Sequence, residues 1–253
     1  MTADELIDNL IEYDVIFVGE KHDAAQAHQA ELQILTNLAK KTDSLVLALE
    51  MFEQDVQKVL TDYLDATISE DSFLAYTRPW GNYATDYKPL VEFAREDNIP
   101  VIAANIPRRA ASVVARSGEV SNEVLGSDSI WKPDTLHLDS QEYFERFEAI
   151  MQAMSHGGPM GQMNIDALYK AQVLKDAAMA ASLTQWLDRK ILFVCGSFHC
   201  DYHLGIPYQL IRNHPALKIA VVTLKSSSEE LSAEERSKIA DYIWLYTPEE
   251  KTD

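Results

Sequence analysis

Short, uninterrupted apolar runs alternate with longer segments of helical period, and this alternation limits the possible folds more than any other feature of the sequence. The runs lack the apolar–polar alternation of half-exposed strands, so they are typical of strands covered on both faces. Strands separated by helices predict βαβ units around a mostly parallel sheet. The runs are residues 15–18, 45–49, 101–104, 191–195 and 219–222, and residues 242–246 are a candidate edge strand.

We therefore predict an α/β fold, a three-layer α/β/α sandwich with a mostly parallel central sheet, in a single domain that spans residues 1–253. The segment from about 117 to 190 interrupts the strand–helix rhythm and predicts a helical insert within that domain. Apolar residues at helical spacing mark its first helix, near residues 140–154. Further helices are expected at 24–40, 54–65, 86–97 and 165–187, and a polar surface loop at 117–132.

The chemically active polar residues fall where the predicted strands end. Ligands of open α/β sheets bind outside the carboxyl ends of the strands, so four strands deliver these side chains to one rim. Imidazole and carboxylate groups there form either a divalent-metal set or a general acid/base set. The metal version uses His22, Glu50 and His199. The residues predicted to be catalytic are Glu20, His22, Glu50, Asn105, Arg108 and His199.

Two of the strands end in the same pattern, a glycine followed three residues later by a histidine. Gly19 precedes His22 in one copy, and Gly196 precedes His199 in the other. We expect the glycines to let the chain turn sharply as it leaves each strand, which exposes the side chains that follow.

Structural roles compete with these functional ones. A glutamate after a strand often stabilises the start of the next helix, which is an alternative for Glu50. His28 lies six positions beyond His22, off its helical face, and we favour a structural role for it. Arg108 or Arg109 can simply pair with surface acids, which are abundant.

Two polar residues, Gln172 and Asp176, interrupt an otherwise apolar face of the second insert helix. Buried amide and carboxylate groups must be hydrogen-bonded, so these side chains either tie the insert to the rim or face a pocket.

The net charge, the length of the apolar runs and the cysteine count exclude several classes of protein. The 22 Lys and Arg against 40 Asp and Glu give a formal charge of −18, which would repel nucleic acid. No apolar run approaches the ~20 residues of a membrane-spanning helix, and two cysteines are too few for a disulfide scaffold. The start of the chain lacks an export signal. We therefore expect either a cytoplasmic protein or one whose leader was removed, which would be periplasmic or held at the outer membrane by a lipid anchor.

The motifs and their order resemble the ChaN-like haem-binding family, within the superfamily of the Tiki proteases and erythromycin-esterase-like enzymes. The resemblance covers nearly the whole chain and includes both glycine–histidine segments with an acidic residue between them. It rests on Gly19-Glu20-x-His22-Asp23 with His28, on Leu47-x-Leu49-Glu50-Met51-Phe52, on Trp80, Tyr87 and Pro89-Leu90, on Ala103 to Arg108, on Ala171-Gln172 to Ala180, and on Gly196-x-x-His199 with Gly205-Ile206-Pro207.

This resemblance implies a protein of haem or iron acquisition, in bacteria often an outer-membrane lipoprotein. It implies haem bound through a tyrosine, helped by a histidine, between paired subunits. We place Tyr169 in the tyrosine role and His156 in the histidine role, with Gln172 and Asp176 beside them. In so acidic a chain, a local cation would have to meet the haem propionates, and the candidates are Lys88, Arg108 and Arg109.

Two functions follow from these observations. The first is haem binding on the insert, as part of haem or iron uptake or handling. The second is hydrolysis of an amide or ester at the rim, either with a divalent metal ion that activates water or with His22 or His199 as the base and Arg108 stabilising negative charge. The sequence has no G-x-S-x-G nucleophile elbow, so a serine hydrolase is not expected.

Overall fold

Six parallel strands form the centre of the structure, a computed structural model that describes residues 2–154 and 164–248. The strand order within the sheet is β3-β2-β4-β1-β5-β6, so β4 lies between β1 and β2. The carboxyl ends of these three central strands are therefore neighbours. The strands are β1 (Val15–Glu20), β2 (Leu45–Glu53), β3 (Val101–Asn105), β4 (Lys190–Gly196), β5 (Ile219–Ser226) and β6 (Tyr242–Tyr246).

Helices cover both faces of the sheet. α2, α3 and α5 contribute to one apolar core, and α9 and α10 contribute to the core on the opposite face. The helices of the described chain are α1 (Ala3–Leu10), α2 (Ala25–Ala39), α3 (Gln57–Leu64), α4 (Glu70–Thr77), α5 (Lys88–Glu96), α6 (Arg108–Ser117), α7 (Asn122–Leu125), α8 (Gln141–Met154), α9 (Ile165–Ser182), α10 (Ile206–Asn213) and α11 (Ala233–Lys238).

Side chains of the central strands alternate between the two cores. In β1, Ile16 and Val18 join the core on the α2 side, whereas Val15 and Phe17 join the core on the α9 side. All four are fully buried. Continuous apolar runs are therefore required, since a polar residue at any of these positions would be taken out of water.

The predicted fold class is confirmed, because the sheet is parallel and covered by helices on both faces. The predicted strands all form, and the aromatic run becomes the edge strand β6. The observed helix boundaries differ from the predicted ones more than the strand boundaries do. The predicted loop at 117–132 contains α7 and a 3-10 helix, and the second insert helix ends at Ser182 before a short 3-10 turn.

The predicted insert at about 117–190 supplies part of a helical layer. α9 packs against β3, α6 and α10, so it covers the sheet. α8 packs against α9 farther out, in a cluster rich in aromatic side chains. Among residues 2–154 and 164–248, no helix is both long and apolar enough to cross a membrane.

The turn that enters α10 lets us predict a stability difference between matched glycine variants. Gly205 and Gly126 have nearly the same positive-φ backbone, at φ 59° and 57°. A Cβ at Gly205 would lie 2.4 Å from the His199 carbonyl oxygen, whereas a Cβ at Gly126 would meet nothing within 4 Å. We expect Gly126→Ala to cost about 1–3 kcal/mol of backbone strain, and Gly205→Ala to cost clearly more.

Chemical denaturation of both variants measures this difference in the free energy of unfolding. Gly81→Ala is the neutral control, because its Cβ would contact nothing within 4 Å and its backbone φ is not positive. Equal losses for Gly205→Ala and Gly126→Ala would contradict the close contact with His199.

Candidate functional site

A buried imidazole lies between two carboxylates at the carboxyl edge of the sheet. His199 follows β4, and its Nδ1 donates to Asp176 Oδ1 on α9 at 2.5 Å. Its Nε2 lies 3.2 Å from Glu50 Oε1 on β2. The second oxygen of Glu50 accepts a hydrogen bond of 2.7 Å from the Gly196 backbone N–H. One histidine therefore joins β2, β4 and α9.

The charges of these three groups favour an imidazolium between carboxylates. Burial alone would lower the pKa of His199, but Glu50 and Asp176 together raise it to about 10. Burial alone would raise the pKa of Glu50, but His199 holds it at about 2. Burial raises the pKa of Asp176 despite its hydrogen bonds. At neutral pH His199 is therefore charged, and it is poorly suited to accept a further proton.

A second histidine of the rim is exposed. The His22 side chain is 45% accessible, and its Nδ1 donates to Glu20 Oε1 at 2.7 Å. The Tyr87 hydroxyl donates to the same oxygen at 2.7 Å, and the Trp80 ring meets the His22 ring edge-on at 4.8 Å. Burial alone would lower the pKa of His22, but Glu20 and Glu50 raise it above its ordinary value. These contacts hold the ring through Nδ1, and Nε2 has no hydrogen-bond partner among residues 2–154 and 164–248.

The two rim glycines are needed for a reason that differs from the one expected. Neither Gly19 nor Gly196 has a positive φ, so the predicted sharp turn was wrong as an explanation. A Cβ at Gly196 would instead lie 2.8 Å from Cε1 and Nε2 of His22. A Cβ at Gly19 would lie 2.6 Å from the sulfur of Cys200. Each glycine therefore makes room for the segment that follows the other strand.

Two of the predicted catalytic residues stand apart from these contacts. Asn105 ends β3, and its Oδ1 is buried without a hydrogen-bond partner in the described chain. Arg108 begins α6 and is exposed, with no ion-pair partner among the described residues. By contrast, Arg109 pairs with Asp55 at 2.7 Å and with Asp128 at 2.8 Å, as expected for a surface arginine. Catalytic roles for Asn105 and Arg108 stay predictions.

Gln172 and Asp176 connect the insert to the rim. Besides holding His199, Asp176 accepts a hydrogen bond of 2.6 Å from the Tyr143 hydroxyl on α8. Gln172 Nε2 donates to the same hydroxyl at 3.2 Å and lies 3.1 Å from His199 Nδ1. Of the two structural alternatives for these residues, the one observed is the tie to the rim. Their role beside haem stays a prediction.

Tyr169 lies in the aromatic cluster between α8 and α9. Its side chain is only 4% exposed, and its hydroxyl donates to the Ser140 carbonyl oxygen at 3.1 Å. Burial raises the pKa of Tyr169 to about 12. It lines a surface pocket of about 300 Å³ together with Phe144 and Lys170. His156, the predicted supporting histidine, lies outside the described residues.

The group of donors with the spacing of metal ligands is not the predicted metal set. Within residues 2–154 and 164–248, Glu20, His28 and Glu31 each place one ligand atom within 4.8 Å of the others. His22, Glu50 and His199 do not meet this spacing, and both ring nitrogens of His199 already face carboxylates. Metal binding by that set stays a prediction.

Several partners of the site were missed from the sequence. Tyr87 and Tyr143 reach the rim only through tertiary packing, and no spacing in the sequence indicated either. His28 and Glu31 did carry a signal, because residues three apart share one face of a helix. That face of α2 is otherwise apolar, so a charged pair on it could have been noticed.

Known proteins resemble the chain over most of its length. A family model described as haem-binding uptake, Tiki superfamily, ChaN matches residues 6–210. The structure of cofacial haem binding to ChaN of Campylobacter jejuni is 22% identical with a TM-score of 0.73, covering 96% of this chain and 91% of that one. A mutant of the erythromycin esterase EreC in its open conformation is 11% identical with a TM-score of 0.54, covering 88% and 72%. At these identities, the likenesses show the fold.

Among curated proteins, the chain is similar to the chloroplastic protein RETICULATA-RELATED 5 of Arabidopsis thaliana. The two are 23% identical over 255 residues, which cover 94% of this chain and 34% of that protein. The chain therefore spans about a third of the length of this relative.

The buried pair of Glu50 and His199 leads to a prediction for Glu50→Gln. Removing one partner of a buried ion pair should cost about 3 kcal/mol near pH 7 and lower the pKa of His199. Since the folded-state pKa of His199 is raised to about 10, its stabilisation is complete below pH 6.5 and declines as the pH rises to about 10. The stability gap between wild type and variant should therefore narrow from pH 7 towards pH 10.

Denaturant titrations at several pH values test this expectation. Glu53→Gln is the matched control, because Glu53 ends the same strand and its ion-pair partner among the described residues is the exposed Arg78. That surface pair should be worth less than about 1 kcal/mol. A Glu50→Gln cost as small as the Glu53→Gln cost, or one independent of pH, would rule out the buried pair as a source of stability.

Proposed function

Because the chain belongs to the haem-binding uptake family of the Tiki superfamily, ChaN, we propose that it binds haem and takes part in haem or iron uptake or handling. The family match over residues 6–210 is the observation that carries this proposal. The proposed site is the surface formed by α8 and α9, with Tyr169 as the axial ligand and His156 in support. Two copies of the chain would face each other across the bound groups.

The residues around Tyr169 fit a haem in their chemistry. Its ring packs between Phe144 at 5.1 Å and Tyr143 at 5.8 Å, so the surroundings of the phenol are apolar and aromatic. Its hydroxyl has a neutral backbone carbonyl as its partner, and the two can separate without exposing a buried charge. Tyrosine is an established ligand of haem iron. Ligation requires the phenol to lose its proton, which its raised pKa opposes in the free protein.

Cations for the propionates are scarce among the predicted candidates. Lys88 is held by Glu70 at 2.5 Å and Arg109 by Asp55 and Asp128. Arg108 is exposed and has no ion-pair partner within the described chain, so it is the predicted candidate whose charge remains available, although the end of α6 that lies beside Lys170 is the opposite one, at Gly118. Lys170, at the pocket beside Tyr169, pairs with Asp166 at 2.6 Å and would have to leave that acid first.

Hemin titration followed in the visible spectrum tests this function. Wild type should give a Soret shift that saturates, and Tyr169→Phe should weaken binding by roughly 10-fold or more. Tyr143→Phe is the matched control, since it removes a neighbouring hydroxyl that serves Asp176. His22→Ala should leave the titration unchanged, and His156→Ala should weaken it.

Two results would overturn parts of this proposal. A wild-type protein with no saturable Soret shift would rule out haem binding. Equal affinities for Tyr169→Phe and Tyr143→Phe would leave haem binding standing but remove Tyr169 as its ligand.

A second candidate function, hydrolysis of an ester or amide, is favoured by the arrangement of His22. Glu20 and Trp80 fix its ring, and its Nε2 has no hydrogen-bond partner in the described part of the chain, as a general base requires. His199 lies between two carboxylates and is protonated, so it supplies a fixed positive charge instead. This arrangement supports the metal-free version of the reaction, with His22 as the base and bound water as the nucleophile.

Assays with aryl esters and a macrolide lactone test the hydrolase hypothesis. His22→Ala should lower kcat/KM by roughly 100-fold, and activity should rise with pH because Nε2 accepts a proton only when the ring is neutral. The midpoint of that rise should lie above pH 6.5, since the pKa of His22 is raised. His214→Ala is the control, because His214 ends α10 and precedes β5 at the opposite edge of the sheet. A kcat/KM that His22→Ala leaves unchanged would rule out His22 as the general base.

A further inference from the structure

Three carboxylates surround one buried imidazole behind the rim. His28, on α2, is 4% exposed, and Glu31, one turn later, is fully buried. His28 Nδ1 lies 3.1 Å from Glu31 Oε2. His28 Nε2 lies 3.5 Å from Glu20 Oε2 and 3.5 Å from Asp86 Oδ2. These donors come from β1, from α2 and from the turn that precedes α5, so the cluster lies where three elements meet.

The carboxylate oxygens of this cluster outnumber their partners. Glu20 Oε2 and Glu31 Oε1 are both buried, and neither accepts a hydrogen bond from any described residue. Glu20 is 1% exposed, and its other oxygen already serves His22 and Tyr87. Buried carboxylate oxygens without partners are costly. The cluster therefore contains two buried oxygens that a bound cation could satisfy.

The distances within the cluster are those of ligands that share a metal ion. Ligand atoms at ~2.1 Å from a tetrahedral ion lie ~3.4 Å from one another. A single ion uses one nitrogen of the imidazole, and one ligand atom from each of Glu20, His28 and Glu31 lies within 4.8 Å of the other two. One imidazole with several carboxylates is a donor set for a divalent first-row metal ion such as manganese, iron or zinc.

We propose that Glu20, His28 and Glu31 form a binding site for a divalent first-row transition-metal ion, with Asp86 beside it. This site is separate from the haem surface and goes beyond the proposed function. Its donors are buried, as in a structural rather than a catalytic metal centre, so the ion holds α2 against β1. It also fixes Glu20, whose second oxygen orients His22 at the rim.

Metal binding to the whole chain provides the first test. Protein treated with a chelator and then dialysed against Mn²⁺ or Zn²⁺ should retain one ion per chain and gain several degrees in Tm. Glu31→Gln and His28→Asn should each weaken binding by roughly 10–100-fold. Glu92→Gln is the matched control, because Glu92 is a half-buried glutamate bonded to Tyr63 and outside the cluster.

The X-ray absorption spectrum of wild-type protein loaded with Zn²⁺ provides a second test that needs no variant to fold. The proposed site contributes one imidazole, whereas the set of His22, Glu50 and His199 contributes two. A fit with one imidazole, together with loss of the ion in Glu31→Gln, supports the proposal. Two imidazoles, an ion lost in His199→Gln but kept in Glu31→Gln, or no ion retained by wild type would overturn it.

Discussion

The imidazolium of His199 ties the sheet to the helical layer that carries the insert. Its two ring nitrogens face Glu50 on β2 and Asp176 on α9, and its own backbone follows β4. All three side chains are buried, so none can be removed without leaving an uncompensated charge in a poorly solvated place. The rim and the α8–α9 surface therefore keep their relative positions through charged hydrogen bonds as well as apolar packing.

Backbone proximity is the second constraint on this edge. Because β1 and β4 are neighbours in register, with Glu20 opposite Gly196, the segments that leave them compete for the same space. The missing Cβ of Gly196 lets the His22 ring lie beside Glu50, and the missing Cβ of Gly19 admits Cys200. The repeated glycine–histidine pattern thus reflects a steric requirement, since a Cβ at either glycine would clash with the segment that follows the adjacent parallel strand. Each glycine serves the histidine segment of the other strand.

Topology explains why much of the molecule followed from the sequence. Apolar runs revealed the strands because both faces of the sheet are buried, and parallel strands bring their carboxyl ends to one edge. That rule was enough to bring Glu20, Glu50 and His199 together. The remaining contacts depend on how helices are placed against the sheet. The Tyr87 and Tyr143 hydroxyls, for example, reach Glu20 and Asp176 from helical segments whose positions no local pattern fixes.

Contacts from the rim to the aromatic cluster form one chain. Asp176 binds His199 through one oxygen and the Tyr143 hydroxyl through the other, and the Tyr143 ring packs against Tyr169. Phe198, next to His199, also stacks on Tyr143 at 5.0 Å. A change in the position of Tyr169 therefore has to be accommodated by a residue that holds the rim histidine. Packed side chains move between discrete arrangements. The rim around His199 and the aromatic cluster around Tyr169 are therefore coupled through direct contacts, although the two differ in chemistry.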